Sequence, residues 1–395
     1  MEGEVWATSG YDRKSFVDGM LSSGTITDRN GEILWNAGRH TGEEILRLAT
    51  VHSVGDVNGN TCTGALTLYR TELIGWNALY GTTRGGGTVR LTIDSRLNKA
   101  AFGALNGRAG TIGVMDCSTG EIICMVSSPV FDPEGGDVPA GAFLNRFLSA
   151  SYVPGSVYKL VTLAAALEEL SEARDISYTC TGRDGCVKCL RPHGRLKAED
   201  ALAESCNCFY ANMAELLGGD TMAQYAAKFG LTGRLCAGAA SIKSGRYDIS
   251  SGAGLAWSGA GQYNNLVTPA ALMRFVGAIA NMGVTAELKL MSEEKTEKQV
   301  IMSEVTAKTM ADAMNYCVCS EYGKELFAGT KVSAKSGTAE TGTGMPHSWF
   351  AGFAEIGQKK LAFTVIIENG GWGLGAAGEA AAEIIHTVSE LYIER

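Results

Sequence analysis

The sequence predicts an α/β fold: one antiparallel sheet assembled from distant pieces of chain and flanked by helices, plus a helical lobe. Three observations carry this. Strand patterns cluster in two places far apart, 89–126 and 330–367. The periodic segments between them are mostly helical. One of these, within Tyr152 to Leu170, is apolar on most faces and so belongs inside a core. Strands at both ends of a run of helices imply one sheet with a lobe set between its halves.

In chain order, residues 1–88 are irregular. Residues 24–34 (GTITDRNGEIL) read as a hairpin turning at Asn30-Gly31, and 42–50 as a helix. Nothing in this segment carries catalytic chemistry. The stretch Thr82-Thr83-Arg84-Gly85-Gly86-Gly87 is flexible by composition and marks a boundary between 1–87 and 88–395. Beyond it, 89–93 alternates as a strand and 94–105 reads as a helix capped near Asp94 or Ser95. Residues 109–115 and 121–126 form an antiparallel hairpin, and Pro129 to Gly141 a loop. The core helix follows, with Val157, Leu160, Val161, Ala164 and Leu167 at helical spacing. Further helices are expected over 196–204, 208–217, 221–229, 268–281 (with Pro269 at its start) and 304–314. Strands over 330–340, 348–354 and 361–367 and a helix over 376–391 close the chain.

Composition narrows the class. A chain of 395 residues, 45% hydrophobic and 19% charged, has enough apolar material for a large core and two domains. A net charge of −8 with no basic stripe argues against a nucleic-acid partner. No apolar run approaches the length of a membrane span, and no secretory signal precedes the fold. That leaves a cytosolic chain, or one cut from its anchor with Met1-Glu2-Gly3 as an introduced start.

Two polar residues interrupt the core helix at its start, Ser156 and Lys159. Three apart, they share a face one turn from each other. Burial lowers a lysine's pKa, and a lysine so lowered can take a proton from a neighbouring hydroxyl. A helix N-terminus favours an oxyanion. The pair therefore reads as a serine nucleophile with a lysine base. A bare S-x-x-K is more often an ordinary helix start, as Ser292 and Lys295 in the charged run SEEKTEK illustrate. Two further motifs add weight. Ser205-Cys206-Asn207 falls in a break between helices, where a plain cap is the bland alternative. Lys335-Ser336-Gly337-Thr338 lies on a strand, and a glycine there marks close approach of a backbone or ligand. Lys335 and Ser336 offer charge and hydroxyl to a carboxylate. A second Lys243-Ser244-Gly245 lacks the threonine and reads as loop.

The eleven cysteines are an odd count, so at least one has no partner within the chain. Cys180, Cys186, Cys189 and His193 have C-x5-C-x2-C-x3-H spacing, which suits zinc. A loop stapled by one disulfide and a set of free thiols fit the same spacing.

The ordered set S-x-x-K, S-x-N, K-S-G-T resembles the signature of penicillin-binding proteins and serine β-lactamases. Residues 24–34 after Ser23 resemble the R-G-x-I-x-D-R-N-G signature of class B penicillin-binding proteins, with serine where arginine would stand. The runs Gly120–Pro129 and Phe131-Asp132-Pro133 fit the same class. So do Asn145-Arg146 ahead of Tyr152, and Gly261-Gln262, Thr268-Pro269, Ser348-Trp349-Phe350 and Gly352-Phe353. The resemblance covers roughly residues 20–390. The third motif has serine where the family commonly has threonine, which keeps the hydroxyl.

The resemblance implies the penicillin-binding/serine β-lactamase-like transpeptidase fold, with 1–87 as a small N-terminal pedestal and 88–395 as the transpeptidase domain. It implies a D,D-transpeptidase in which Ser156 attacks the penultimate D-alanine of a stem peptide. Lys159 would be the base. Ser205 would relay a proton to the leaving amine, with Lys335 balancing charge. Asn207 would hold Lys159 and the substrate amide. Ser336, Gly337 and Thr338 would bind the terminal carboxylate, and the N–H groups of Ser156 and Thr338 would form the oxyanion hole. No cofactor and no metal ligand is implied. Expected partners are peptidoglycan stem peptides, β-lactams and a lipid-linked glycan polymerase. The expected place is the outer face of the bacterial cytoplasmic membrane, with the native N-terminal anchor missing. The same resemblance favours a Cys180–Cys189 disulfide. A D,D-carboxypeptidase or a β-lactam sensor shares the residues. A serine β-lactamase would need an acidic residue for the deacylating water, and none is evident.

Overall fold

The computed structural model describes residues 16–17, 20–21, 23–77, 81–82, 85–249, 251–342 and 344–393. Met1-Glu2-Gly3, and Thr83 and Arg84 of the glycine-rich boundary, lie outside the described residues.

A five-stranded antiparallel sheet forms the centre, in the order Ile122–Ser128, Gly110–Asp116, Lys359–Ile367, His347–Ile356, Lys331–Ala339. The expected strands are all present. The sheet closes where Gly110 lies opposite Ile367 and Asp116 opposite Leu361, which joins the two distant pieces. Side chains alternate across it with period two. Val114, Phe350, Phe363 and Val365 join Leu97 and Ala101 of the Ser95–Leu105 helix and Ile384 of the Ala376–Ile393 helix. Met115, Trp349, Ala351, Ala362 and Ile366 enter the other core, shared with Leu272, Phe275 and Ile279 of Pro269–Ala280. Both faces are covered, which is why these strands read as apolar runs. Thr268 caps the Pro269–Ala280 helix by accepting the Ala271 N–H at 3.2 Å, with proline at its first turn.

The lobe is built from Lys159–Glu169, Ala198–Ala203, Asn207–Leu217, Gly219–Lys228 and Glu304–Cys317. Antiparallel strand pairs lie within it. Ser177–Cys180 pairs with Gly194–Lys197, and Gly233–Ala237 with Ala240–Arg246. The second corrects the loop reading of Lys243-Ser244-Gly245, which is strand: Ile242 and Ser244 point inward, and Gly245 lies opposite both Gly233 and Val267. No helix among the described residues is long and apolar enough to cross a membrane.

In the N-terminal part, Thr25–Thr27 and Ile33–Asn36 form the expected hairpin, and the expected helix spans Glu44–Val54. The strand expected over 89–93 is shorter, Thr88–Arg90. It pairs parallel to Thr25–Thr27 and ends where that partner ends. Asp28 seals this seam. Its fully buried carboxylate accepts the N–H groups of Asn30 and Glu32 at 2.7 and 2.9 Å, and the N–H and hydroxyl of Ser95 at 3.1 and 2.8 Å.

Candidate active site

Ser156 sits in a 3-10 turn, Gly155–Tyr158, that runs straight into the Lys159–Glu169 helix. The turn starts at Gly155 with φ +58°, and a Cβ there would lie 2.6 Å from the Thr338 carbonyl oxygen. Only glycine meets both demands. Ser156 is half-buried, whereas Lys159 is fully enclosed. Their spacing of one turn brings Lys159 Nζ to 2.9 Å from Ser156 Oγ.

The second motif arrives from the far side. Cys206 caps the Asn207–Leu217 helix, and Ser205 before it adopts φ +53°, a left-handed conformation unusual for serine. This turn aims three oxygens at the lysine. Lys159 Nζ lies 2.7 Å from Ser205 O, 2.9 Å from Ser205 Oγ and 2.7 Å from Asn207 Oδ1. A carbonyl and an amide oxygen can only accept, so they take the two N–H groups of a neutral amine. Its single lone pair then remains for one hydroxyl, that of Ser156 or of Ser205, either of which can donate. Burial, and after it the charge of Lys335, holds the Lys159 pKa well below that of an ordinary lysine. The amine is thus set up to receive a proton from Ser156.

The third motif forms the edge strand of the sheet, Lys331–Ala339, lying against the Ser156 turn. Gly337 makes this approach possible, because a Cβ there would come within 3.0–3.1 Å of Val157 and the Pro154 carbonyl. Lys335 is buried, with Nζ donating to Ser336 O at 3.0 Å and Tyr322 OH at 3.2 Å. Thr338 Oγ1 accepts the Gly373 N–H at 3.2 Å, which leaves its own hydrogen free to donate. Gln262 Nε2 donates to Thr338 O at 3.2 Å, and Trp349 Nε1 to Val153 O at 3.1 Å. Ser156, Lys159, Ser205 and Asn207 therefore form one network, and Lys335 to Thr338 line its side. Ser292 and Lys295 lie elsewhere, in a turn where Lys295 is exposed.

The penicillin binding protein transpeptidase domain family matches residues 110–390. The chain belongs to that family. Among curated relatives it is 29% identical over 348 residues to the peptidoglycan D,D-transpeptidase PbpA of Mycolicibacterium smegmatis, covering 75% of this chain and 70% of that protein. It is 29% identical to the stage V sporulation protein D of Bacillus subtilis, covering 78% of this chain and 54% of that protein. The fold matches the crystal structure of PBPA from Mycobacterium tuberculosis with a TM-score of 0.80 at 24% identity, over 94% of this chain and 98% of that one. It matches the D,D-transpeptidase domain of a peptidoglycan glycosyltransferase from Eggerthella lenta with a TM-score of 0.79 at 24% identity, over 94% and 99%. The class B resemblance and the expected fold are borne out.

One residue of this penicillin-binding protein's site escaped the sequence. Tyr322 ends a π-helical turn, Val318–Tyr322, that prolongs the Glu304–Cys317 helix. Its hydroxyl accepts from Lys335 and from the Ser336 N–H (3.0 Å) and meets Ser336 Oγ at 3.0 Å. Its ring packs edge-on against Phe350 at 5.6 Å. No spacing rule points to a tyrosine thirteen residues before a lysine.

The cysteines also regroup. Cys186 is exposed and apart, and its place is taken by Cys206 of the second motif. The Cys180 and Cys189 sulfurs are 3.8 Å apart and unbonded, so the disulfide favoured by the resemblance is not formed.

Proposed function

We propose that the chain is a peptidoglycan D,D-transpeptidase acting through a serine acyl-enzyme, and that β-lactams acylate and inhibit it at Ser156. The observation that carries this is the Lys159 amine, enclosed and held within hydrogen-bond reach of Ser156, Ser205 and Asn207. Ser156 Oγ attacks the carbonyl of the penultimate D-alanine, and its proton passes to Lys159. The N–H groups of Ser156 and Thr338 receive the oxyanion. The bond to terminal D-alanine breaks, and Ser205 hands a proton to the departing amine. Lys335 balances the charge of the site, and Asn207 fixes Lys159 and the substrate amide. Ser336 and Thr338 donate to the substrate carboxylate, and Gly337 lets it approach the strand. An amine from a second stem peptide then attacks the ester, forming the cross-link and freeing Ser156.

The relatives' names support this reading, as does the ordered presence of all three motifs in one site. On the same basis residues 1–87 are a non-catalytic pedestal and 88–395 the transpeptidase domain, with Thr88–Arg90 as the strand joining them. The native protein works at the outer face of the cytoplasmic membrane beside a lipid-linked glycan polymerase, which the N-terminal part would meet.

The test is intact-protein mass after brief exposure to benzylpenicillin, followed for hours beside Ser156→Ala. One persistent adduct on the parent chain and none on the variant is expected. An adduct that clears within seconds would point to a β-lactamase, and none at all would overturn the reading. A D-Ala-D-Ala peptide offered with and without an acceptor amine separates transpeptidase from carboxypeptidase. Acylation without turnover of that peptide would mark a sensor.

A further inference from the structure

Three sulfurs and one imidazole nitrogen converge directly behind the second motif. The donor atoms of Cys180, Cys189, His193 and Cys206 all lie within 4.8 Å of one another. Cys180 and Cys189 are 3.8 Å apart, Cys189 and Cys206 3.8 Å, and Cys180 Sγ and His193 Nδ1 3.4 Å. A disulfide would bring two sulfurs to about 2.05 Å. A tetrahedral zinc with bonds of about 2.3 Å to sulfur and 2.05 Å to nitrogen sets edges of about 3.8 Å between sulfurs and about 3.6 Å between sulfur and nitrogen. These three separations, 3.8, 3.8 and 3.4 Å, lie within about 0.2 Å of those edges.

Two independent features point the same way. Each sulfur accepts a backbone N–H: Cys180 from Gly182 at 3.4 Å, Cys189 from Cys208 at 3.5 Å and Cys206 from Phe209 at 3.4 Å. Such donors stabilise thiolates, the form that binds metal. The loop that supplies Cys189 and His193 also lacks a core, since between residues 181 and 195 only Val187 is buried. A segment so poor in apolar contacts needs another clamp to hold one shape.

We propose that Cys180, Cys189, Cys206 and His193 form a closed four-coordinate zinc site that positions Ser205 and Asn207 around Lys159. Three thiolates and one imidazole are a zinc donor set, and four protein ligands leave no place for a reactive water. Binding releases three thiol protons to solvent, His193 binds through neutral Nδ1, and the metal keeps its oxidation state. Cys206 lies between the two residues that grip Lys159. A metal bond there, beside the 2.9 Å hydrogen bond from Asn207 Nδ2 to Lys188 O, ties the motif to the loop at two adjacent points. It also holds Ser205 in its left-handed backbone conformation. The four ligands are positioning residues. Cys208, 3.5 Å from Cys189, stands outside the set of four.

The experiment is metal analysis of the full chain purified under reducing conditions, with cobalt(II) exchanged for zinc as a spectroscopic probe. About one zinc per chain is expected, with sulfur-to-cobalt charge-transfer bands and the intense visible bands of a tetrahedral ion. Cys189→Ser and His193→Ala should lose zinc, and Cys186→Ser should keep it. Chain that neither retains zinc nor takes up zinc or cobalt when reduced overturns the site. So does a mass two hydrogens short with peptides 180 and 189 linked. The positioning role rests on the proposed acyl-enzyme chemistry and is read separately. Chelated chain should be acylated by benzylpenicillin roughly 10–100-fold more slowly and recover on adding zinc. Full zinc loss with unchanged acylation overturns that role, whereas metal content does not depend on acylation.

Discussion

Asn207 Oδ1 lies 2.7 Å from Lys159 Nζ, a neutral partner for a lysine whose pKa burial and then Lys335 hold down. An amide oxygen accepts an N–H without adding charge. A carboxylate in its place would stabilise the ammonium and raise the lysine's pKa. Asn207→Asp is therefore expected to slow benzylpenicillin acylation by about 10²-fold or more at neutral pH, because the base is protonated. The defect should shrink as pH rises, which a merely structural lesion would not do. A pH-independent defect would remove this account of Asn207.

Tyr322→Phe tests the hydroxyl that joins Lys335 to Ser336. The ring and its packing on Phe350 survive, so thermal stability should change little. Losing a hydrogen bond to a charged group costs about 1.5 kcal/mol or more, which corresponds to roughly tenfold slower acylation by penicillins. The loss should fall on the concentration dependence, since Ser336 contacts the carboxylate in the proposed mechanism. Stopped-flow acylation across penicillin concentrations reads this directly, and an unaltered concentration dependence counts against it.

Asp28→Ala removes the acceptor of five hydrogen bonds, two of them from Ser95 across the seam. Buried donors left without a partner cost about 1–3 kcal/mol each, so a destabilisation of about 3 kcal/mol or more is expected in urea unfolding. The folded fraction should still be acylated by benzylpenicillin, because no group of the site is touched. An unchanged urea midpoint would show that water replaces the carboxylate without penalty.

His52 makes stability pH-dependent. It is buried against Phe131, its Nε2 donates to Ala142 O at 2.8 Å, and burial lowers its pKa from 6.5 to about 4. The folded state thus resists protonation that the unfolded chain accepts. This contribution is intact above pH 6.5 and is lost as pH falls toward 4. Between pH 7 and pH 5 it removes about 2 kcal/mol. His40, lowered to about 4 mainly by burial, adds a parallel loss. His52→Gln should therefore show a flatter fall than the parent chain in urea midpoints measured across that window. Equal slopes would mean that His52 is solvated in the folded protein.

The core of this fold was legible because its signals are local. Val157, Leu160, Val161 and Ala164 repeat at helical spacing and are all buried, and the apolar run 361–367 is a strand covered on both faces. The three motifs were legible through their order. What escaped was set by partners distant in sequence. Residues 91–93 look like strand, but the parallel pairing stops with Thr27 and Leu91 makes only an isolated bridge to Met291. Lys243-Ser244-Gly245 looks like loop, yet gains strand pairing from Gly233, Arg234 and Val267. Tyr322 owes its place to a helix that loosens its pitch. Cys206 was hidden because spacing counts along the chain, whereas the cluster is assembled across the turn of the second motif.

The pairing of Gly110–Asp116 with Lys359–Ile367 has a consequence for biogenesis. During synthesis the serine emerges long before the strand that completes its pocket. Until the last third of the polypeptide leaves the ribosome or translocation channel, the first hairpin has an open edge and no neighbour. Contacts of such long range close slowly, because the loop they seal is long. A nascent or C-terminally clipped chain is thus expected to carry the nucleophile and yet be blind to penicillin.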